Sequence, residues 1–315
     1  MKKDNTFPLG PFKKYPKNPI LSPQGDSWEA KDVFNPTAIV HDNRVYLFYR
    51  AEDFTGEGEW NGTSRIGLAV SDDGIHFHRE PRPVIDVTEE YEVPGGVEDP
   101  RVVRLGQTFY MTYSAFDGKN ARLALATSKD LIHWKKHGLL FPEWKGVNDE
   151  GWSKSGAIVP EKIDGKYVMY FGDTDIYLAF STNGLHWIPE TEPFMKVSKD
   201  PNKFDSALIE PGPAPILSNE GIILLYNAAR KVTEKGDPAF GKLRYSVGQV
   251  LIDRHEPNRV LKRTKSPFFV PNTQDESYGQ VDNVVFVEGL VYFNETYYLY
   301  YGMADSKLGV ALCNG

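Results

Sequence analysis

The chain holds one cysteine in 315 residues, Cys313. An internal disulfide is therefore excluded, and so is a cysteine-based zinc site. Positive charge is also scarce: 36 Lys and Arg face 43 Asp and Glu, a net charge of −7. That balance argues against a nucleic-acid partner, which needs a basic surface for counterion release, and against an anionic membrane surface. The longest apolar runs, such as Gly221 to Tyr226, are far too short to span a bilayer. The opening residues Met1-Lys2-Lys3-Asp4-Asn5 lead to Pro8 and Pro11 with no apolar stretch, so no signal peptide is expected. These absences predict a cytoplasmic protein without a membrane association. In that setting the sequons at Asn61 and Asn294 carry no meaning. No phosphate-cradling Gly loop, serine-triad motif or metal-ligand cluster is present, so neither a metal nor a cofactor is expected.

What is abundant is turn and strand material: 22 Pro, 28 Gly, 18 Phe, 17 Tyr and 6 Trp, with no amphipathic helical period. One unit recurs five times: a short apolar strand, a polar turn, then an aromatic-rich strand. The first copy runs Asn35 to Val40, then Val45 to Arg50. Later copies begin at Asp99, Ser155, Gly212 and Asn283. After three of them a further strand ends in Ser (Ser71, Ser128, Ser181), followed by His76-Phe77, His133-Trp134 and His186-Trp187 on a fourth. Four strands per unit predict an all-β, five-bladed β-propeller, with residues 1–315 as one domain. The N-terminal segment is expected to supply the outer strand of the last blade. The three histidines, on successive blades, cannot meet at a metal and read as repeat packing.

In a propeller the first strand of each blade lines a central channel and the second returns beside it. The starts of the first strands are Asn35, Asp99, Lys154, Glu210 and Asp282. The second strands end near Arg50 and Glu52, Ser114, Asp173, Asn227 and Asp305. One end of the channel is thus a polar ring, whereas the other carries ordinary turn residues. Asp99 lies in the sharpest motif, Gly95-Gly96-Val97-Glu98-Asp99-Pro100-Arg101, with Arg101 expected on the same strand face. A turn-capping Asp is the plain alternative, but convergence with Asp173, Glu210, Asp282 and Asp305 favours acid–base chemistry. Glycoside cleavage uses such a pair, one carboxyl protonating the leaving oxygen and another activating the attacking group. Arg50, Arg65, Arg122 and Lys154 at or near this face would bind hydroxyls and balance the acids, or bind phosphate. Trp60, Trp144 and Trp152 fall in loops suited either to sugar stacking or to packing.

The motifs Asn35-Pro36-Thr37, Tyr49-Arg50-Ala51-Glu52-Asp53, Gly67-Leu68-Ala69-Val70-Ser71, Glu98-Asp99-Pro100-Arg101 and Tyr301-Gly302-Met303-Ala304-Asp305 resemble, as a set, glycoside hydrolase family 130. The resemblance implies a five-bladed propeller acting on β-mannosides with inversion, either as a phosphorylase releasing mannose 1-phosphate or as a hydrolase of β-1,2-linked mannosides. It makes Asp99 the proton donor, acting through a hydroxyl of the bound mannose. It gives Asn35, Arg50, Ser64 and Asp305 the mannose itself, and puts Arg122 near the acceptor or phosphate.

The departures bear on which activity. Where family phosphorylases carry a His-Arg pair for phosphate, this chain reads Tyr170-Phe171-Gly172-Asp173, and it adds Glu210 before Pro211. Two carboxylates repel a phosphate dianion but suit deprotonation of water. Hydrolysis of manno-oligosaccharides, with Glu210 or Asp173 as base, is therefore the first reading. The alternative is phosphorolysis, with inorganic phosphate as co-substrate. A furanosidase-type propeller, which would use Asp32, and a non-catalytic sugar-binding propeller rank lower.

Overall fold

The computed structural model describes residues 6–55, 62–146 and 151–314. Helix is confined there to Gln274–Ser277 and a 3-10 turn at Glu90–Glu92. The remainder is antiparallel strand and connecting loop, an all-β architecture of several sheets.

Five four-stranded meanders follow the chain. The first comprises Asp32–His41, Arg44–Glu52, Ser64–Ser71 and His78–Arg79. The second comprises Gly96–Leu105, Thr108–Phe116, Ala121–Ser128 and Trp134–Leu139. One parallel contact, Ser64 with Gly96, joins these two into an eight-stranded sheet. The third uses Ala157–Ile158, Tyr167–Phe171, Tyr177–Ser181 and Ile188–Pro189. The fourth uses Leu208–Pro211 with Ile216–Leu217, then Ile222–Lys231, Leu243–Ile252 and Val260–Arg263. The fifth pairs Val285–Phe293, Thr296–Met303 and Lys307–Asn314, and its outer strand is Lys13–Lys14 from the N-terminal segment.

The hairpins at the end away from the polar ring are built by turn chemistry. Asp42-Asn43 and Asn294-Glu295 both take positive φ at two successive positions, which matches the twist of the flanking strands. The apolar strand faces pack against the next sheet, as where Leu47, Ala69, Tyr300 and Val310 share one core. The predicted fourth-strand histidines lie instead in the turn before that strand, and this corrects their role as packing residues. His76 and His133 are exposed and hydrogen-bond Asp73 and Asp130, whose carboxylates also accept turn amides. Ser71, Ser128 and Ser181 complete the same turn by accepting the following amides.

A second repeat was not anticipated. In four of the meanders a second-strand tyrosine donates its hydroxyl to a buried carboxylate that also pairs with a fourth-strand cation. Tyr49, Glu29 and Arg79 form the first such triad, at 2.9 and 2.8 Å. Tyr113, Glu92 and Lys136 form the next, at 3.0 and 2.6 Å. Tyr226, Asp205 and Arg263 follow, at 3.3 and 2.6 Å. Tyr301, Glu276 and Lys14 close the series, at 2.9 and 2.6 Å. In the third sheet Tyr170 donates to the carbonyl of Pro257 instead. The tyrosine ring lies over a neighbouring strand, which explains Gly67: a Cβ there would sit 2.5 Å from Tyr49.

A carboxylate-rich candidate active site

The first strands of the first two meanders carry the same irregularity. Pairing runs to Phe34 opposite Arg50 and resumes at Thr37, leaving Asn35-Pro36 bulged. It likewise runs to Glu98 opposite Ser114 and resumes at Arg101, leaving Asp99-Pro100 bulged. Asn35 and Asp99 take φ of 47° and 49°, a conformation that Asn and Asp tolerate better than other side chains. Both side chains thereby leave the pleat and meet: Asn35 Nδ2 donates to Asp99 Oδ1 at 2.9 Å. Ser155 and Asn283 adopt the same positive φ in the third and fifth meanders.

Arg50 organises one side of the cluster. Its Nε donates to Ser64 Oγ at 2.9 Å, and its terminal nitrogens meet Glu52 at 2.6 Å, Glu98 at 2.9 Å and Asp99 at 3.4 Å. Lys154 organises the other side. Its Nζ stands 4.0 Å from Asp99, 3.9 Å from Asp173 and 3.8 Å from Glu210, three carboxylates from three sheets. Asp99 and Glu210 thus share one ammonium as a neighbour. Glu210 is further fixed by Ser155, whose hydroxyl donates to it at 2.6 Å. Asp305 is half-buried, and its Oδ1, shut off from solvent, has no hydrogen-bond partner among the described residues.

Charge is unevenly settled here. Burial pushes Glu98, Glu210 and Asp305 each up to about 7, against the opposing pull of Arg50 or Lys154. Burial acts on Asp99 as well, but Arg50, Lys154 and the Asn35 hydrogen bond outweigh it and hold Asp99 below the usual carboxylate range. Asp32 is raised to about 6, chiefly by burial. The group therefore shares protons near neutrality, with Asp99 its most acidic-held member.

Asn35, Arg50, Ser64, Asp99, Lys154, Asp173 and Glu210 are thus linked by contacts, with Asp305 electrostatically coupled to Arg50 and Asp99. Other predicted residues have partners outside that set. Arg101 is 2% exposed and cannot bind substrate as expected, because its donors are already committed. They reach the carbonyls of Asp99, Pro211 and Gly212, and Nη2 lies 3.0 Å from Glu288. The bulge at Asp99-Pro100 breaks the alternation that would have put it beside Asp99. Asp282 is half-buried and pairs with Lys242 at 2.7 Å, so the buried residue at that strand start is Asn283, one position on. Arg65 pairs with Asp53 and Asp86, and Arg122 with Asp117. Trp144 packs among Phe141, Phe171 and Tyr177, and Trp152 against Phe116. Trp60 lies outside the described residues.

The sequence reading passed over Glu98, Ser155 and Glu288. Glu98 stood inside the quoted motif, and Ser155 one residue past the predicted strand start. Glu288, wholly buried on a bulged strand, had no local signal. Among the described residues there is no group of three or more His, Cys, Asp or Glu able to hold a metal, and no helix long and apolar enough to cross a membrane.

Known proteins resemble this chain along nearly its full length. The 1,2-beta-oligomannan phosphorylase of Thermoanaerobacter sp. (strain X514) is 36% identical, covering 96% of each chain. The beta-1,2-mannobiose phosphorylase of the same organism is 34% identical over 93% of this chain and 94% of its own. A solved structure described as "The GH130 family of mannoside phosphorylases contains glycoside hydrolases that target beta-1,2 mannosidic linkages in Candida mannan" is 37% identical, with a TM-score of 0.89, covering 99% of this chain and 97% of that one. A putative glycosidase from Bacteroides thetaiotaomicron is 38% identical with the same TM-score, covering 96% of each. Residues 11–314 match the family described as beta-1,4-mannooligosaccharide phosphorylase, and the chain therefore belongs to glycoside hydrolase family 130.

Proposed function

We propose that this chain is a single-domain, five-bladed β-propeller that hydrolyses β-1,2-linked mannosides with inversion. Five consecutive four-stranded meanders, with the N-terminal strand completing the last, support the blade count. The family supports a mannoside substrate, and the names of the similar proteins support the β-1,2 linkage. On the attacking group the two lines of support diverge. The phosphorylase relatives back phosphorolysis, which the sequence reading ranked second, better than hydrolysis.

The observation that favours hydrolysis is the surroundings of Lys154. Its ammonium is already enclosed by Asp99, Asp173 and Glu210 at 3.8–4.0 Å. A phosphate brought to it would be repelled by each of these carboxylates that is ionised, by roughly 4 kcal/mol per unit charge at 4 Å and an effective dielectric of 20. A water molecule meets no such cost. Glu210, buried, raised to about 7 and oriented by Ser155, has the properties of a base that deprotonates it. Asp173 is the second candidate base. Asp99 is the acid; a sugar hydroxyl entering between it and Lys154 would weaken a contact that is already 4.0 Å long and let it take up a proton from its neighbours. Asn35, Arg50, Ser64 and Asp305 bind the mannose.

Incubation of the enzyme with β-1,2-mannobiose, with and without phosphate, tests this by product analysis. Free mannose is expected at a rate phosphate does not raise. Glu210→Ala is expected to lose activity, partly restored by azide as the inverted glycosyl azide. Mannose 1-phosphate as the main product would replace hydrolysis by phosphorolysis.

A further inference from the structure

Residues 196–265 hold 13 Lys and Arg against eight Asp and Glu, in a chain whose net charge is −7. Four of those cations, Lys203, Arg230, Arg244 and Lys265, line a single pocket of about 470 Å³ together with Ser246 and Ser266. The described lining includes no carboxylate. Arg230 and Arg244 stand directly opposite each other on paired strands, an arrangement of like charges that destabilises a sheet. Arg244 is anchored by the carbonyl of Pro271 at 3.2 Å and, loosely, by Asp237 at 3.6 Å. No side-chain ion pair or hydrogen bond is formed by Arg230, Lys203 or Lys265 among the described residues, although Arg230 is half-buried. The nearest acid in sequence, Asp205, is consumed by Arg263 and Tyr226.

We propose that this pocket binds a phosphate-type oxyanion. Two guanidinium forks and two ammonium groups supply charge and planar donor pairs, and the serine hydroxyls supply further donors to the remaining oxygens. The anion would also relieve the Arg230–Arg244 repulsion. The pocket opens at the same end of the fourth sheet as the active centre. Asn227 pairs with Glu210, and Arg230 lies three residues further along that strand, about 10 Å at the usual rise. Free phosphate and a phosphate ester carried by a sugar chain present the same chemistry here. The inference does not depend on which reaction the centre performs.

Calorimetric titration of the full-length protein at low ionic strength, with inorganic phosphate and with mannose 6-phosphate, tests it. Both the wild type and Arg230→Gln/Lys265→Gln are measured. Binding is expected in the wild type and at least tenfold weaker in the double variant, with unchanged turnover of neutral β-1,2-mannobiose. Phosphate should raise the melting temperature of the wild type but not of the variant, which by itself should melt no lower. Tighter binding of the ester would identify a substituted sugar as the ligand, and equal or weaker binding would identify free phosphate. Undiminished binding in the double variant, or no binding in the wild type, would overturn the proposal. Binding abolished by Lys154→Met and not by the double variant would assign the anion to the central cluster and overturn it equally.

Discussion

The buried ions of this protein fall into two groups with opposite habits. In the tyrosine triads at the sheet peripheries, each carboxylate has one hydroxyl and one cation within 2.6–3.3 Å. In the central cluster Lys154 is held off at 3.8–4.0 Å from three carboxylates, and Asp305 and Asn35 each keep an oxygen without a hydrogen bond. The same residue types are present and both groups are shielded from water. The difference is stoichiometry and reach. A buried charge with a close partner is a structural joint, whereas several carboxylates sharing a distant cation form a site whose polar groups await hydroxyls from a ligand.

The sharpest way to break this comparison is to remove a charge from each group. Asp99→Asn in the centre should lower turnover by roughly 10²–10⁴-fold while leaving the melting temperature near that of the wild type. Steady-state kinetics and thermal unfolding read the two effects separately. Loss of stability with retained turnover would make Asp99 a joint like Glu92.

Glu92→Gln should behave the opposite way. Glu92 accepts from Tyr113 and Lys136 with its side chain fully buried, and the amide leaves the ammonium without its counter-charge. Loss of about 3 kcal/mol of stability is expected, with turnover of the remaining folded protein unchanged. Chemical denaturation measures the first and kinetics at low temperature the second.

A smaller effect concerns pH. Asp305 is raised by burial from its ordinary value to about 7, so the folded state holds a proton there that the unfolded state releases near pH 4. Stability from this group is therefore intact below about pH 4 and is lost progressively as pH rises to 7. Asp305→Asn removes that slope. The variant should gain roughly 1–3 kcal/mol relative to wild type between pH 4.5 and 7.5, a loss of activity notwithstanding. Parallel melting curves across that range would show instead that Asp305 is not a strained acid.

The recurring hairpins were legible because period-two alternation and turn residues repeat in the sequence. Asn35 and Asp99 were legible for a related reason: each stands before a proline at an abrupt strand start. The rest was hidden by register. The bulged, positive-φ Asp99 breaks the alternation of its strand, and Asp282 was taken for the buried Asn283 one position on. The same bulge turned Arg101 inward onto the carbonyls of Asp99, Pro211 and Gly212. The triads escaped notice because Glu29, Glu92, Asp205 and Glu276 come from connecting segments outside the strand pattern, although the first three precede their tyrosines by 20 or 21 residues and the last by 25. Such contacts depend on how sheets meet, which a strand pattern does not encode.

The pairing of Lys13–Lys14 with Lys307–Asn314 has a consequence for how the molecule comes into being. It closes a loop of nearly the whole chain, an entropic cost of roughly 5 kcal/mol by the logarithmic rule for flexible loops. Lys14 helps to offset it through Glu276, which Tyr301 also holds. On the ribosome the first of these strands emerges long before its partner exists. The earlier meanders can assemble locally in the meantime, but the fifth must wait for the last strand. Sealing of the sheet is therefore a late, long-range event in biogenesis, coupled to the arrival of one lysine at one buried glutamate.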